Sequence, residues 1–149
     1  MPHTYTNLWY HLVFGTKDRL PLIEENWRKR LHQYLGGTIR GMGGVASEIN
    51  GVADHVHLLV SLKPTHEIAR VLQELKADSS LWVHKQGLPA EFAWQRGYGA
   101  FTVSSSQIEN VRRYLLNQEE HHRKISFEEE YKALLKAHGI EFDDRYLWS

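Results

Sequence analysis

The stretch from Asp54 to Leu62 reads Asp-His-Val-His-Leu-Leu-Val-Ser-Leu, and its alternation constrains the chain more than any other feature. Val56, Leu58, Val60 and Leu62 alternate with His55, His57, Leu59 and Ser61. That is the period of a strand with one face in a core. Residues two apart on a strand point the same way, so the imidazoles of His55 and His57 emerge side by side on the face away from Val56 and Leu58. Two such imidazoles make part of a metal site, because neutral imidazole is the commonest protein metal ligand. Taken alone, the same spelling also describes a half-buried strand whose histidines hydrogen-bond to neighbours or water. A third ligand and a nucleophile from elsewhere in the chain have to separate the two readings.

The length, 149 residues, suits one domain spanning 1–149 with a real core and is too short for a (β/α)8 barrel. The absence of cysteine excludes disulfides, thiolate zinc sites and a cysteine nucleophile. No apolar run approaches the roughly 18–20 residues needed to span a bilayer, and the N-terminus lacks a signal-peptide pattern. A soluble, cytoplasmic protein is therefore expected. Eighteen basic and eighteen acidic residues balance, which argues against a nonspecific nucleic-acid coat but leaves room for a local basic surface. Lys17 and Arg19 in the loop after the first strand, and Arg96 in a glycine-rich segment, are the candidate phosphate contacts.

Leu8–Phe14 reads as a first strand, and a helical pattern after Pro21 carries Trp27, Leu31, Leu35 and Ile39 before ending at Gly43-Gly44. Val45–Val52 and the histidine strand form an antiparallel hairpin. Thr65 is the expected N-cap of a second helix with Ile68, Val71, Leu72, Leu75 and Trp82 on its buried stripe. Phe101-Thr102-Val103 ends a fourth strand. Ser106-Gln-Ile-Glu109 and Ser126-Phe-Glu-Glu129 are capping-box spellings. The first predicts a helix over 106–123 and the second a helix ending at His138-Gly139, with an irregular tail over 139–149. This β-α-β-β-α-β order with two further helices predicts an α+β, ferredoxin-like (RRM-like) fold, an antiparallel sheet with helices on one face.

On the helix from Ser106, Tyr114, Gln118 and His121 fall at i, i+4 and i+7 along one line. The Gln118 amide oxygen offers a hard third ligand beside His55 and His57. Mixed imidazole and oxygen donors without thiolate suit Mg2+ or Mn2+. Tyr114, one turn away, is placed for in-line attack on a phosphate polarised by such an ion. Packing alone also accounts for a tyrosine at the edge of a helix's apolar face. His121, His122 and Asp54 lie near these positions as partners that orient the ligands rather than as ligands.

Taken together, the motifs resemble those of the single-tyrosine HUH transposases of the insertion sequence 200/605 group, including relatives associated with repeated palindromes. His55-Val56-His57 matches the histidine–hydrophobic–histidine motif, and Tyr114-Leu-Leu-Asn-Gln118 the tyrosine-x-x-x-glutamine motif. Trp94-Gln-Arg-Gly-Tyr98, Phe101-Thr-Val-Ser104 and Tyr10-His-Leu-Val-Phe-Gly-Thr-Lys17 also resemble family signatures, so the likeness covers nearly the whole chain. It implies a homodimer that binds single-stranded DNA, often hairpins at the element's ends, and cuts and rejoins it through a 5′-phosphotyrosine. It also implies that the tyrosine helix can dock on the partner subunit, giving shared active sites. Two other readings are weighed against it. A histidine-triad hydrolase needs a histidine where this chain has Leu59. A non-catalytic, ferredoxin-like single-stranded nucleic-acid binding module would use the aromatics and arginines and leave the histidines incidental.

Overall fold

A computed structural model describes residues 3–148. Four strands, β1 (Leu8–Gly15), β2 (Val45–Val52), β3 (His55–Leu62) and β4 (Gly99–Val103), form one antiparallel sheet in the order β2-β3-β1-β4. The helices α1 (Glu25–Gly41) and α2 (Ile68–Lys85) cross between strands. The apolar half of the β3 alternation meets them. Val56, Leu58, Val60 and Leu62, with Leu12 and Phe14 of β1, pack on Trp27, Leu31, Leu35 and Ile39 of α1 and on Val71, Leu72 and Leu75 of α2. Burying a side chain of this size contributes roughly 1.5–3 kcal/mol, and Leu58 is wholly buried.

The opposite face is also covered, by helices from the C-terminal third. These are α3 (Ile108–Leu116), the short α4 (Gln118–His121) and α5 (Phe127–Ala137). A second apolar cluster of Val13, Phe101, Phe127, Tyr131 and Leu135 lies there. His11, His55 and His57 are sandwiched on this side, at 4%, 0% and 0% exposure.

Three local expectations change. The single helix over 106–123 is interrupted at Asn117, whose backbone (φ −96°, ψ 15°) leaves the helical region between α3 and α4. The Ser106 capping box does not form. Residues Ser105–Gln107 make a 3-10 turn closed by Gln107 N–H on the Ser104 carbonyl at 2.9 Å, and Ser106 Oγ lies 3.2 Å from Ser104 Oγ instead of capping the helix. Thr65 is not an N-cap. His66 Nδ1 accepts from the Lys63 N–H at 2.9 Å and closes a turn there, which delays α2 to Ile68. The Ser126 box does form, with both of its reciprocal hydrogen bonds to Glu129.

Candidate active site

β3 presents the histidine pair, and its neighbours hold it in place. Asn50 of β2 is the register partner of His57 and donates through Nδ2 to the Leu115 carbonyl at 2.8 Å. Arg112 donates to Ser47 Oγ at 2.6 Å through Nη2. These two bonds pin α3 over the hairpin, so Tyr114 comes to stand over its own chain's histidines. The His57 and Tyr114 ring centres are 5.7 Å apart, edge to face. Gly15 is the cross-strand partner of His55, and a Cβ there would stand 2.6 Å from the Phe127 ring. Without one, Phe127 lies flat on the His55 imidazole, with centroids 3.9 Å apart and planes 3° from parallel.

All four expected catalytic and metal-site residues meet through a fifth group that the sequence reading missed. Glu130 of α5 is 2% exposed and lies at the centre of the cluster. Its Oε1 is 3.0 Å from His57 Nε2, 3.2 Å from His55 Nε2 and 2.9 Å from His122 Nε2. Its Oε2 accepts from Gln118 Nε2 at 2.9 Å and from the Tyr114 hydroxyl, and lies 3.5 Å from His121 Nε2. Gln118 is fully buried and turns its Oε1 toward His55 Nε2 at 3.0 Å. His55, His57, Tyr114 and Gln118 are therefore assembled within one chain.

A signal for Glu130 was present in the sequence. It falls three residues after Phe127 and beside Tyr131, on the apolar stripe of α5, where an unpaired carboxylate would be costly. His122, read as an orienting partner, joins the group of side chains able to share one ion. One ligand atom from each of His55, His57, His122 and Glu130 lies within 4.8 Å of the others. Asp54 does take the orienting position, with Oδ1 2.8 Å from His55 Nδ1.

The electrostatics follow from this packing. Burial works to raise the pKa of Glu130, but hydrogen bonds from His122, His55 and His57 outweigh it and hold the carboxyl well below the usual range. Burial works to lower His55. Its bonds to Asp54 and Glu130 overcome that and leave the imidazole above its ordinary value. For His57 burial prevails over Glu130, and the pKa falls to about 4. Tyr114 is pushed above the ordinary phenol value by burial first, then by the charge of Glu130 and the hydrogen bond to it.

The three basic residues do not join this cluster. The Arg19 guanidinium pairs with Glu128 and lies 4.7 Å over the Trp148 ring. Lys17 is exposed, and its backbone N–H donates to the Ala93 carbonyl at 2.8 Å. That bond and the 2.9 Å bond from Gln95 N–H to the Gly15 carbonyl tie the loop after β1 to the segment carrying the exposed Arg96. There, Lys76 donates to the Gln95 and Arg96 carbonyls at 2.9 and 3.0 Å.

The sequence model of the family described as "Transposase IS200 like" matches residues 4–118, most of the chain. The chain belongs to the IS200-like transposase family. Among curated relatives, the transposases for insertion sequence element IS200 from Salmonella typhimurium and Salmonella typhi are each 25% identical over 134 residues, covering 85% of this chain and 88% of theirs. A candidate transposase from Deinococcus radiodurans R1 has a similar structure, with a TM-score of 0.61 and 27% identity over 79% of this chain and 95% of that one. A REP-associated tyrosine transposase bound to a REP hairpin shares the fold at a TM-score of 0.62 and 12% identity, covering 84% of this chain and 74% of that one. The IS200-like match ends at Gln118, so the family region contains His55, His57, Tyr114 and Gln118 but neither His122 nor Glu130. Among the described residues no helix is long and apolar enough to cross a membrane.

Proposed function

We propose that this IS200-like transposase cleaves and rejoins single-stranded DNA at the ends of an insertion sequence, with Tyr114 as nucleophile. The observation that carries this reading is the meeting of the Tyr114 hydroxyl with His55, His57, Gln118 and Glu130 in one buried cluster. Tyr114 Oη attacks the scissile phosphorus, the bond from phosphorus to the 3′ oxygen breaks, and that oxygen leaves as a 3′-hydroxyl after taking up a proton. The DNA stays attached as a 5′-phosphotyrosine, so the energy of the broken phosphodiester is retained for rejoining. Attack by another 3′-hydroxyl reverses the step and releases the phenol.

The two oxygens of Glu130 divide the work. Oε2 accepts the phenol's hydrogen bond and orients Tyr114 Oη. Oε1 gathers the three imidazoles. Three nitrogens, a carboxylate and a carboxamide oxygen, all convergent and without thiolate, fit a divalent cation such as Mg2+ or Mn2+. His55, His57, Glu130 and His122, with Gln118, would hold it. When bound, such an ion draws charge from the phosphate oxygens and offsets the anion that keeps the phenol protonated. The hairpin-bound neighbour of the same fold supports hairpin DNA as the substrate. Lys17 and Arg96, on tied loops, are proposed as phosphate contacts, and Arg19 joins them where DNA displaces Glu128. A homodimer, which family membership suggests, is not needed to bring these side chains together.

The test is a labelled single strand carrying the element's end, incubated with protein and Mg2+ or Mn2+. A covalent protein–DNA adduct with the wild type and none with Tyr114→Phe supports the assignment. An adduct with Tyr114→Phe overturns it. Binding without cleavage under any divalent ion would point to a non-catalytic binding module.

A further inference from the structure

His11 of β1 is 4% exposed and lies behind the His57 ring. Its Nε2 lies 2.7 Å from His57 Nδ1, and the two rings are stacked with centroids 5.0 Å apart. Across β4 it is the register partner of Phe101, which fixes the ring from the other side at 5.9 Å. Two ring nitrogens at that separation share one hydrogen, so the direction of this bond reports which nitrogen of His57 is protonated.

The direction follows from the partners. In the structure His57 Nε2 faces Glu130 Oε1 at 3.0 Å, and a carboxylate only accepts. The hydrogen on His57 is therefore on Nε2, its Nδ1 is bare, and His11 Nε2–H donates to it. A cation can be ligated by His57 only through a bare Nε2. The ring hydrogen must then move to Nδ1, where, among the described residues, His11 Nε2 is the neighbour able to accept it.

We propose, resting on the cation-dependent reading above, that His11 is a positioning residue that reverses its hydrogen bond with His57 when the ion binds and so presents His57 Nε2 as a ligand. Each ring carries one N–H before and after, and the pair gains and loses no proton. The His11 hydrogen moves to Nδ1. That nitrogen has no protein partner among the described residues, and the ring lines a cavity of about 400 Å³ with Thr102, Ser104 and Gln107. Phe101, Val103 and Val111 line the same cavity, and water beside its polar side chains can accept that hydrogen. His11 thus does for His57 what Asp54 does for His55. An acceptor behind a ligating imidazole fixes its tautomer, and losing it typically costs 10–100-fold in metal affinity.

The full-length chain is tested with Mn2+ by titration calorimetry and, labelled with 15N-histidine, with Mg2+ by NMR. His11→Phe keeps a ring beside Phe101 but removes the acceptor, and is expected to weaken Mn2+ binding about 10–100-fold. His11→Gln restores an acceptor and should bind close to wild type. In the wild type, long-range 15N correlations should show the His57 hydrogen on Nε2 without the ion and on Nδ1 with Mg2+. A folded His11→Phe that binds Mn2+ as tightly as wild type, or a His57 that keeps its Nε2 hydrogen under saturating Mg2+, overturns the inference alone. A wild type that binds no Mn2+ overturns both the inference and the metal reading. The wild-type tautomer measurement decides the matter even if His11→Phe fails to fold.

Discussion

The two faces of β3 are built from alternate residues of one strand, yet they are held by opposite physics. On one face Val56, Leu58, Val60 and Leu62 meet α1 and α2 in an apolar core. On the other, His55 and His57 meet a carboxylate, a carboxamide, a phenol and two more histidines, all wholly or partly buried. The apolar face is non-directional, and its energy scales with the area removed from water. The polar face survives burial only because each group is satisfied by a specific partner. The first face should therefore govern whether the chain folds, and the second whether it can do chemistry.

The sharpest break between them is functional. Tyr114→Phe should abolish the covalent adduct entirely while the chain stays folded, and His57→Ala should abolish cleavage while sparing hairpin binding. A gel assay for adduct, beside a filter-binding assay, separates the two outcomes. On the apolar face, Leu58→Ala should cost about 2–5 kcal/mol in urea unfolding, as cavities in close-packed cores do. If Leu58→Ala lost adduct formation while fully folded, the division of labour between the faces would be wrong. Gly15→Ala sits on the seam. Its new methyl would displace Phe127 from His55 and should cost roughly 1–3 kcal/mol, together with part of the cleavage rate.

Smaller effects sharpen the electrostatics. Glu130→Gln removes the anion that raises both His55 and Tyr114, so both should titrate at lower pH than in the wild type, as followed by NMR. Away from the site, His32 on α1 provides a control. Burial, with the nearby Arg28, depresses its pKa to about 4. Below the ordinary histidine value of about 6.5 the unfolded chain takes up a proton that the folded chain refuses. Stability should therefore fall as pH drops from that value toward 4, and His32→Gln should flatten this part of the stability curve.

What could be read from sequence divides along the same line as the faces. Alternation located β3, aromatic and β-branched composition β1, and the hairpin with the histidine strand β2, each nearly to the residue, because these are local patterns. The His55–His57 pair and the Tyr114–Gln118 spacing were equally local, as was the Ser126 capping box. Glu130 and His11 escaped because their importance lies in partners 73 and 46 residues away in the chain. The helix break at Asn117 and the failed box at Ser106 were missed for a related reason. Each depends on a competing backbone geometry or hydrogen bond that propensity does not encode.

The central claim is that one cation sits among His55, His57 and Glu130 within reach of Tyr114. Anomalous diffraction from crystals soaked in Mn2+ tests it directly. A single strong peak bounded by His55 Nε2, His57 Nε2 and the Glu130 carboxylate is the expected result. Saturating Mn2+ with no peak there, or with peaks only at surface carboxylates, would contradict the account.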